Sequence, residues 1–402
     1  MIGKNPFELY FRQPPVTNHS SLITIHRFTM RWDLFCAVVD NLGDIGVCWR
    51  LARQLAAEHA ADVRLWVDDL ATFRQLAPAL DVAASRQKLG DIEVCAWRTP
   101  FASVEAADIV VETFGCELPA SYVQAMQARA RPPVWINLEY LSGEPWVGRY
   151  HGLPSLQPPL VKYFFFPGFA SDTGGVPMES GLNARRAAFQ ADAAGEARFL
   201  SGLGVPARAP GELLVSLFCY PQAPTQALFD AWESGSQPIR TIAFADTPAA
   251  QALVAGGLAS GRRRGRLSGQ IVPFLTQDDY DRVLWACDWN FVRGEDSFMR
   301  AQWAARPFVW QAYPQQEQNH RIKMQAFLAR YLGASIMGSS AGLVDLWTVW
   351  NGLLPAARLA PAWTASQATL GGISHLARLW PEQLEALGDL AGNLARFCAE
   401  RV

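Results

Sequence analysis

A chain of 402 residues, 50% hydrophobic and 18% charged, is long enough for two domains with full cores and has the balance of a soluble protein. A net charge of −2 argues against general binding to nucleic acid or to an anionic membrane surface, and no apolar run approaches the roughly 20 residues a spanning helix needs. Seven scattered cysteines without a C-x-x-C pair fit a reduced cytoplasmic chain that holds neither zinc nor disulfides.

Residues 1–29 have no continuous apolar segment of signal-peptide type and read as a disordered extension or an upstream start. The folded pattern begins at Met30. A buried strand is expected over 32–39, a turn over 40–46 and a helix over 47–59 with Trp49, Ala52, Leu55 and Ala56 on its apolar face. Strands over 63–67, 92–97, 109–113 and 134–138 follow, with a helix over 71–76, and the spacing leaves room for crossovers. Such alternation means a parallel sheet covered on both faces. An irregular stretch over 142–177 contains Tyr163-Phe164-Phe165-Phe166, read as a strand at a domain edge. One helix over 182–203 and a linker over 204–211 lead to a second alternating series, with strands over 213–219, 239–243, 269–274, 289–292 and 308–311. The expected architecture is α/β: a Rossmann-like domain over 30–180 faces another over 205–375, and a helix over 381–402 crosses back onto the first. The ligand lies between them.

Three stretches carry chemistry. Asp40 and Asp44 flank Gly43 in the turn Asp40-Asn41-Leu42-Gly43-Asp44-Ile45-Gly46, and two carboxylates there suit holding a cation and accepting a proton. The same residues also read as an Asx turn and helix cap. The turn is not G-x-G-x-x-G, which argues against a dinucleotide-dependent oxidoreductase. Downstream, Arg293-Gly294 turns a strand into a helix that opens with Glu295-Asp296-Ser297, and the unpaired amides of a helix start are a seat for phosphate. Read alone, Glu295 and Asp296 are caps. Their company raises them: Tyr313, Gln315, Gln316, Glu317, Gln318, Asn319 and His320 follow the next strand. The two carboxylates are expected to reach ribose or sugar hydroxyls, while Arg293, Ser297 and the amides face the phosphate. Third, Phe218, Tyr220, Phe274 and Tyr280 offer rings to stack on a base, and Gln277 an amide to read its edge. Asp279-Tyr280-Asp281 has D-x-D spacing, but at a helix start its acids are better explained as dipole partners, and no metal is expected. The run Arg262-Arg263-Arg264-Gly265-Arg266 reads as a solvated loop.

The segments DLFCAVVDNLGDIGVCWRLARQLA, SLFCYPQ and VPFLTQDDYDRVLWACDWNFVRGEDSFMRAQWAARPFVWQAYPQQEQNH resemble the bacterial protein-arginine rhamnosyltransferases that modify translation elongation factor P, and the resemblance runs from Trp32 to the C-terminus. It implies a GT-B glycosyltransferase fold of two facing Rossmann-like domains, with dTDP-β-L-rhamnose bound mainly by the second. It implies an inverting, metal-independent and cofactor-free transfer of rhamnose to the guanidino nitrogen of one arginine on the factor. By motif it makes Asp40, Asp44 and Glu295 the catalytic groups, with Asp44 as base. The donor would be bound by Asn41, Gly43, Phe218, Tyr220, Phe274, Gln277, Tyr280, Arg293, Glu295, Asp296, Ser297 and Tyr313. Two other readings are a GT-B enzyme with a lipid or glycan acceptor, and a non-catalytic nucleotide-binding partner of the translation machinery.

Overall fold

The computed structural model describes residues 30–259, 261–313, 319–336 and 340–402. The expected extension over 1–29 and the polar run Gln315, Gln316, Glu317 and Gln318 lie outside the described residues.

The first lobe is built on an eight-stranded sheet of β1 (Arg31–Cys36), β2 (Asp62–Val67), β3 (Arg86–Leu89), β4 (Ile92–Ala96), β5 (Ile109–Thr113), β6 (Val134–Leu138), β7 (Pro154–Gln157) and β8 (Leu160–Phe165). Their order is β3-β4-β2-β1-β5-β6-β8-β7. The six inner strands run parallel, and their mostly apolar composition follows from burial on both faces: all five residues of β5 and of β6 are buried, Glu112 and Asn137 among them. The outermost strands β3 and β7 are antiparallel, polar and half exposed, so they carry no buried-strand signature and sequence reading passes over them.

The second lobe repeats the plan with β9 (Leu213–Leu217), β10 (Ile239–Phe244), β11 (Arg263–Arg264), β12 (Leu267–Val272), β13 (Trp289–Arg293) and β14 (Phe308–Gln311), in the order β11-β12-β10-β9-β13-β14. In each sheet the chain steps outward from a central strand, β1 or β9, first to one side and then to the other. The crevice at such a switch point, beyond the carboxyl ends of the strands, is where open α/β sheets bind ligands. The architecture is the GT-B fold that the sequence implied.

Several elements differ from expectation. The first helix begins at Leu42, not at 47, so Gly43, Asp44 and Gly46 lie in its opening turns. Asn41 makes the corner with a φ of 45°, and the Gly43 amide closes it on the Asp40 carbonyl at 2.8 Å. The expected helix over 182–203 is two helices, Leu182–Ala191 and Ala193–Gly202, because Asp192 ends one and caps the next by accepting from the Gly195 amide at 2.8 Å. The arginine run is a hairpin edge: Arg263 and Arg264 form β11, paired with Glu212 and Glu233. Pro381 lies inside the helix Leu370–Glu385, and the final helix is Leu390–Ala399. That last helix packs on the helix Leu42–His59 and buries Leu390, Ala391, Leu394 and Cys398 in the core of the first lobe. Six of the tryptophans, Trp66, Trp232, Trp289, Trp303, Trp347 and Trp350, are fully buried in the core, and none lines the cavity described next.

Candidate active site

The carboxyl ends of β1, β9 and β13 meet where the lobes touch, and glycine lets them touch closely. A Cβ on Gly43 would lie 2.5 Å from Asp40 Oδ2 and 3.4 Å from the Glu295 nitrogen. One on Gly46 would lie 2.9 Å from Asp296 Cβ. Gly294, at φ 65°, would place a Cβ 2.6 Å from Asp40 Oδ2. Backbone and acidic side chains therefore share a space that no larger residue leaves open.

Asp44 is completely buried. Its Oδ2 accepts from the backbone amides of Val39 at 2.9 Å and Asp40 at 2.7 Å, and its Oδ1 accepts from the Tyr140 hydroxyl at 3.1 Å. Burial pushes its pKa up, and these three bonds pull against that shift. Asp40 is held from the other lobe. Its Oδ1 accepts from the Tyr220 hydroxyl at 2.6 Å and from Arg293 Nη1 at 3.4 Å, while Oδ2 is buried without a partner among the described residues. Burial lifts its pKa to about 6 despite those two bonds. The Arg293 guanidinium also lies 4.6 Å from the ring centroids of both Phe218 and Tyr220.

Glu295 and Asp296 stand in the first turn of the helix Gly294–Trp303, which has no side-chain cap, so neither is the cap its position suggested. Glu295 Oε2 is buried and unpartnered, and burial raises its pKa to about 7, with Lys323 opposing the shift and Asp40 and Asp44 adding to it. Asp296 bonds across the lobe boundary while lining the cavity described below. Its Oδ1 accepts from Arg50 Nε at 2.7 Å, and its Oδ2 from Gln277 Nε2 at 3.2 Å. Gln277 also ties the lobes together: the same amide donates to the Gly46 carbonyl at 3.0 Å, and Oε1 accepts from Arg53 at 3.4 Å. Arg50 of the first lobe also pairs with Asp281 and Glu179, as does Arg300. Asp281 of the D-x-D pattern is thus the centre of a buried ion cluster, not a dipole partner.

A cavity of about 40 Å³ opens beside these groups, lined by Leu42, Gly43, Leu76, Phe218, Phe244, Phe274, Leu275, Gln277, Tyr280, Arg293, Asp296 and Ser297. Eight of the expected site residues are therefore gathered at one place. Tyr220 adjoins them through Arg293, and Tyr313 packs edge-on to Tyr220 at 5.6 Å from a half-exposed rim position. Asn41 is exposed at the helix corner. Sequence reading missed Leu42, Leu76, Phe244 and Leu275, ordinary apolar residues with no signal of their own. It also missed Tyr140, whose signal was its place just past the end of β6. Among the described residues no group of three or more His, Cys, Asp or Glu is arranged to hold a metal ion, and no helix is long and apolar enough to cross a membrane.

Comparison with known proteins identifies the family. The family of the elongation factor P (EF-P) rhamnosyltransferase EarP matches residues 32–399. A protein-arginine rhamnosyltransferase of Pseudomonas putida KT2440 is 47% identical over 91% of this chain and 98% of its own. Its counterpart in Pseudomonas aeruginosa PAO1 is 46% identical over 92% and 99%. A solved structure described as the basis for EarP-mediated arginine glycosylation of EF-P superimposes with a TM-score of 0.66 at 36% identity, covering 93% of this chain and all of the other. A glycosyltransferase from Rickettsia africae, at 9% identity and a TM-score of 0.51, shares the fold alone. Two facing switch points, an acidic corner at one and an arginine-led helix start at the other, and near-complete matches in sequence and structure together place this chain in the EarP family of glycosyltransferases.

Proposed function

We propose that this chain transfers L-rhamnose from dTDP-β-L-rhamnose to the guanidino group of one arginine on translation elongation factor P, with inversion at the anomeric carbon and without a metal. The observation that carries the reading is the meeting of the acidic corner of Asp40 and Asp44 with the Arg293-Gly294-Glu295 helix start inside one cleft. The names of the relatives supply arginine as acceptor residue and rhamnose as sugar. The apolar, aromatic cavity between Phe218, Phe274 and Tyr280 suits a pyrimidine, and the unpaired amides at Gly294–Trp303 together with Arg293 suit a diphosphate.

In this mechanism an Asp44 carboxylate takes a proton from the guanidinium as its nitrogen forms the bond to the anomeric carbon. The bond from that carbon to the diphosphate oxygen breaks, and its electron pair leaves with dTDP. Arg293, Ser297 and the helix amides receive the charge that develops on the diphosphate. Asp40 and Glu295, both acidic and buried, supply the negative field that draws in and orients the cationic acceptor.

The test is incubation of purified enzyme with dTDP-β-L-rhamnose and elongation factor P, followed by peptide mass spectrometry and NMR of the linkage. One deoxyhexose on one arginine, in the α configuration, is the expected product, and Asp44→Asn abolishes it. Failure to modify the factor while a lipid or glycan accepts the sugar would overturn the acceptor; retention of configuration would overturn the mechanism.

A further inference from the structure

Tyr140 follows β6 at the carboxyl end of the first sheet and sets its hydroxyl 3.1 Å from Asp44 Oδ1. Its ring is gripped by two neighbours. Phe114, just past β5, stacks on it at 4.3 Å with an interplanar angle of 7°. Phe114 does so from a φ of 58°, a left-handed conformation that is unfavourable for a residue with a large side chain and is kept only where the surroundings enforce it. The Nζ of Lys323 lies 4.9 Å from the centroid of the same ring. Lys323 belongs to the helix Asn319–Ile336, which follows β14 of the second lobe and touches the first: Arg330 Nε donates to the Gly143 carbonyl at 2.6 Å. The grip on Tyr140 is therefore completed across the lobe boundary.

We propose that Tyr140 is the positioning residue for Asp44, with Phe114 as its platform and Lys323 as a cation supplied by the opposite lobe, so that Asp44 is aimed only when the lobes are docked. Two backbone amides already fix Oδ2, so the hydroxyl on Oδ1 decides how the carboxylate is rotated and which lone pair is left for the incoming guanidinium. A cation over the phenol ring withdraws electron density and makes the hydroxyl a better donor. The other groups facing Asp44 do not do this work. Asp40 on its own turn, Asp68 beyond β2 and Glu295 from the second lobe all disfavour its charge, and Cys36 at the end of β1 is a buried neutral thiol. Tyr140 and the two amides are what favour the ionised form.

This inference rests on Asp44 being the base, and the test separates the two claims. Steady-state transfer to the arginine acceptor is measured as a function of pH for the full chain and for Tyr140→Phe, Lys323→Met, Lys323→Arg and Asp44→Asn. Tyr140→Phe keeps the stacked ring and loses only the hydroxyl. Its kcat falls about tenfold with donor KM unchanged to within about twofold. Loss of a bond that favours the carboxylate raises the pKa of Asp44, so the acid limb of the kcat profile moves up by about one pH unit. Lys323→Met moves the limb the same way by less, and Lys323→Arg restores it. A wild-type kcat and an unmoved limb in Tyr140→Phe would overturn the proposal, as would a loss of kcat with the limb unmoved, which a merely structural role would give. If Asp44→Asn retains transfer, the base assignment itself fails; if it is inactive while Tyr140→Phe matches wild type, only the role of Tyr140 does.

Discussion

Asp40 and Asp44 differ in what holds them. Asp44 takes its three hydrogen bonds from its own lobe, two amides and Tyr140, and is linked to the other through Lys323 over the Tyr140 ring, whereas Asp40 is bonded directly by Tyr220 and Arg293 of the other. Asp40 therefore meets the opposite lobe directly, and Asp44 meets it through Tyr140. Glu295 is a third case, buried with an unpartnered oxygen and a pKa of about 7 against an ordinary 4.5. The folded state holds its proton more tightly than the unfolded chain does. Its contribution to stability is therefore full below about 4.5 and is lost as pH rises through about 7. Glu295→Gln, which never ionises, is expected to be more stable than wild type by an amount that grows from pH 5 to pH 8, with a ceiling on the order of 3 kcal/mol. Thermal melts across that range check this, and a difference that stays constant with pH would show that the carboxyl is not buried in this way.

At the scale of elements, the helix Leu42–His59 links the two lobes. Its opening turns carry Gly43, Asp44 and Gly46, and two turns on Arg50 reaches Asp281, Asp296 and Glu179 of the buried ion cluster. Removing one partner of such a cluster leaves uncompensated charge behind, a cost of about 3–5 kcal/mol. Arg50→Met is therefore expected to destabilise the protein by about 3 kcal/mol in urea unfolding at neutral pH, and a loss under about 1 kcal/mol would mean that Arg300 alone satisfies the acids. The same helix shows what a sequence can and cannot disclose. The inner strands were legible because burial on both faces demands mostly apolar, β-branched and aromatic stretches, and the Asp40-to-Gly46 and Arg293-to-Ser297 corners were legible because turns and helix starts have their own chemistry. Arg50 was not, since a charge inside an apolar helix face names no partner until Asp281 and Asp296 are brought to it from residues far along the chain. Gln277 and Asp296 line the cavity as expected, and only the folded chain shows that they also bond to the helix Leu42–His59 of the first lobe. The edges β3 and β7 escaped because a polar, half-exposed strand resembles a loop.

For the whole molecule, the central feature is how closely the lobes meet at the cavity beside Arg293. At about 40 Å³ it is far below the ~300 Å³ at which small-molecule sites begin, so the proposed donor requires the lobes to part there or Arg293 to leave the rings of Phe218 and Tyr220. The diphosphate is the natural competitor for that guanidinium, and its arrival would release Asp40 from the ion pair at 3.4 Å. In the proposed mechanism, donor binding and release of Asp40 are one event, which suits a cationic acceptor. The most direct measurement is a crystal structure with dTDP bound. The account predicts the thymine ring among Phe218, Phe274 and Tyr280, the diphosphate on the amides that open the helix Gly294–Trp303 with Arg293 turned onto it, and the terminal phosphate facing Asp44 across the cleft. A nucleotide seated on the first lobe, or a diphosphate directed away from Asp44, would contradict it.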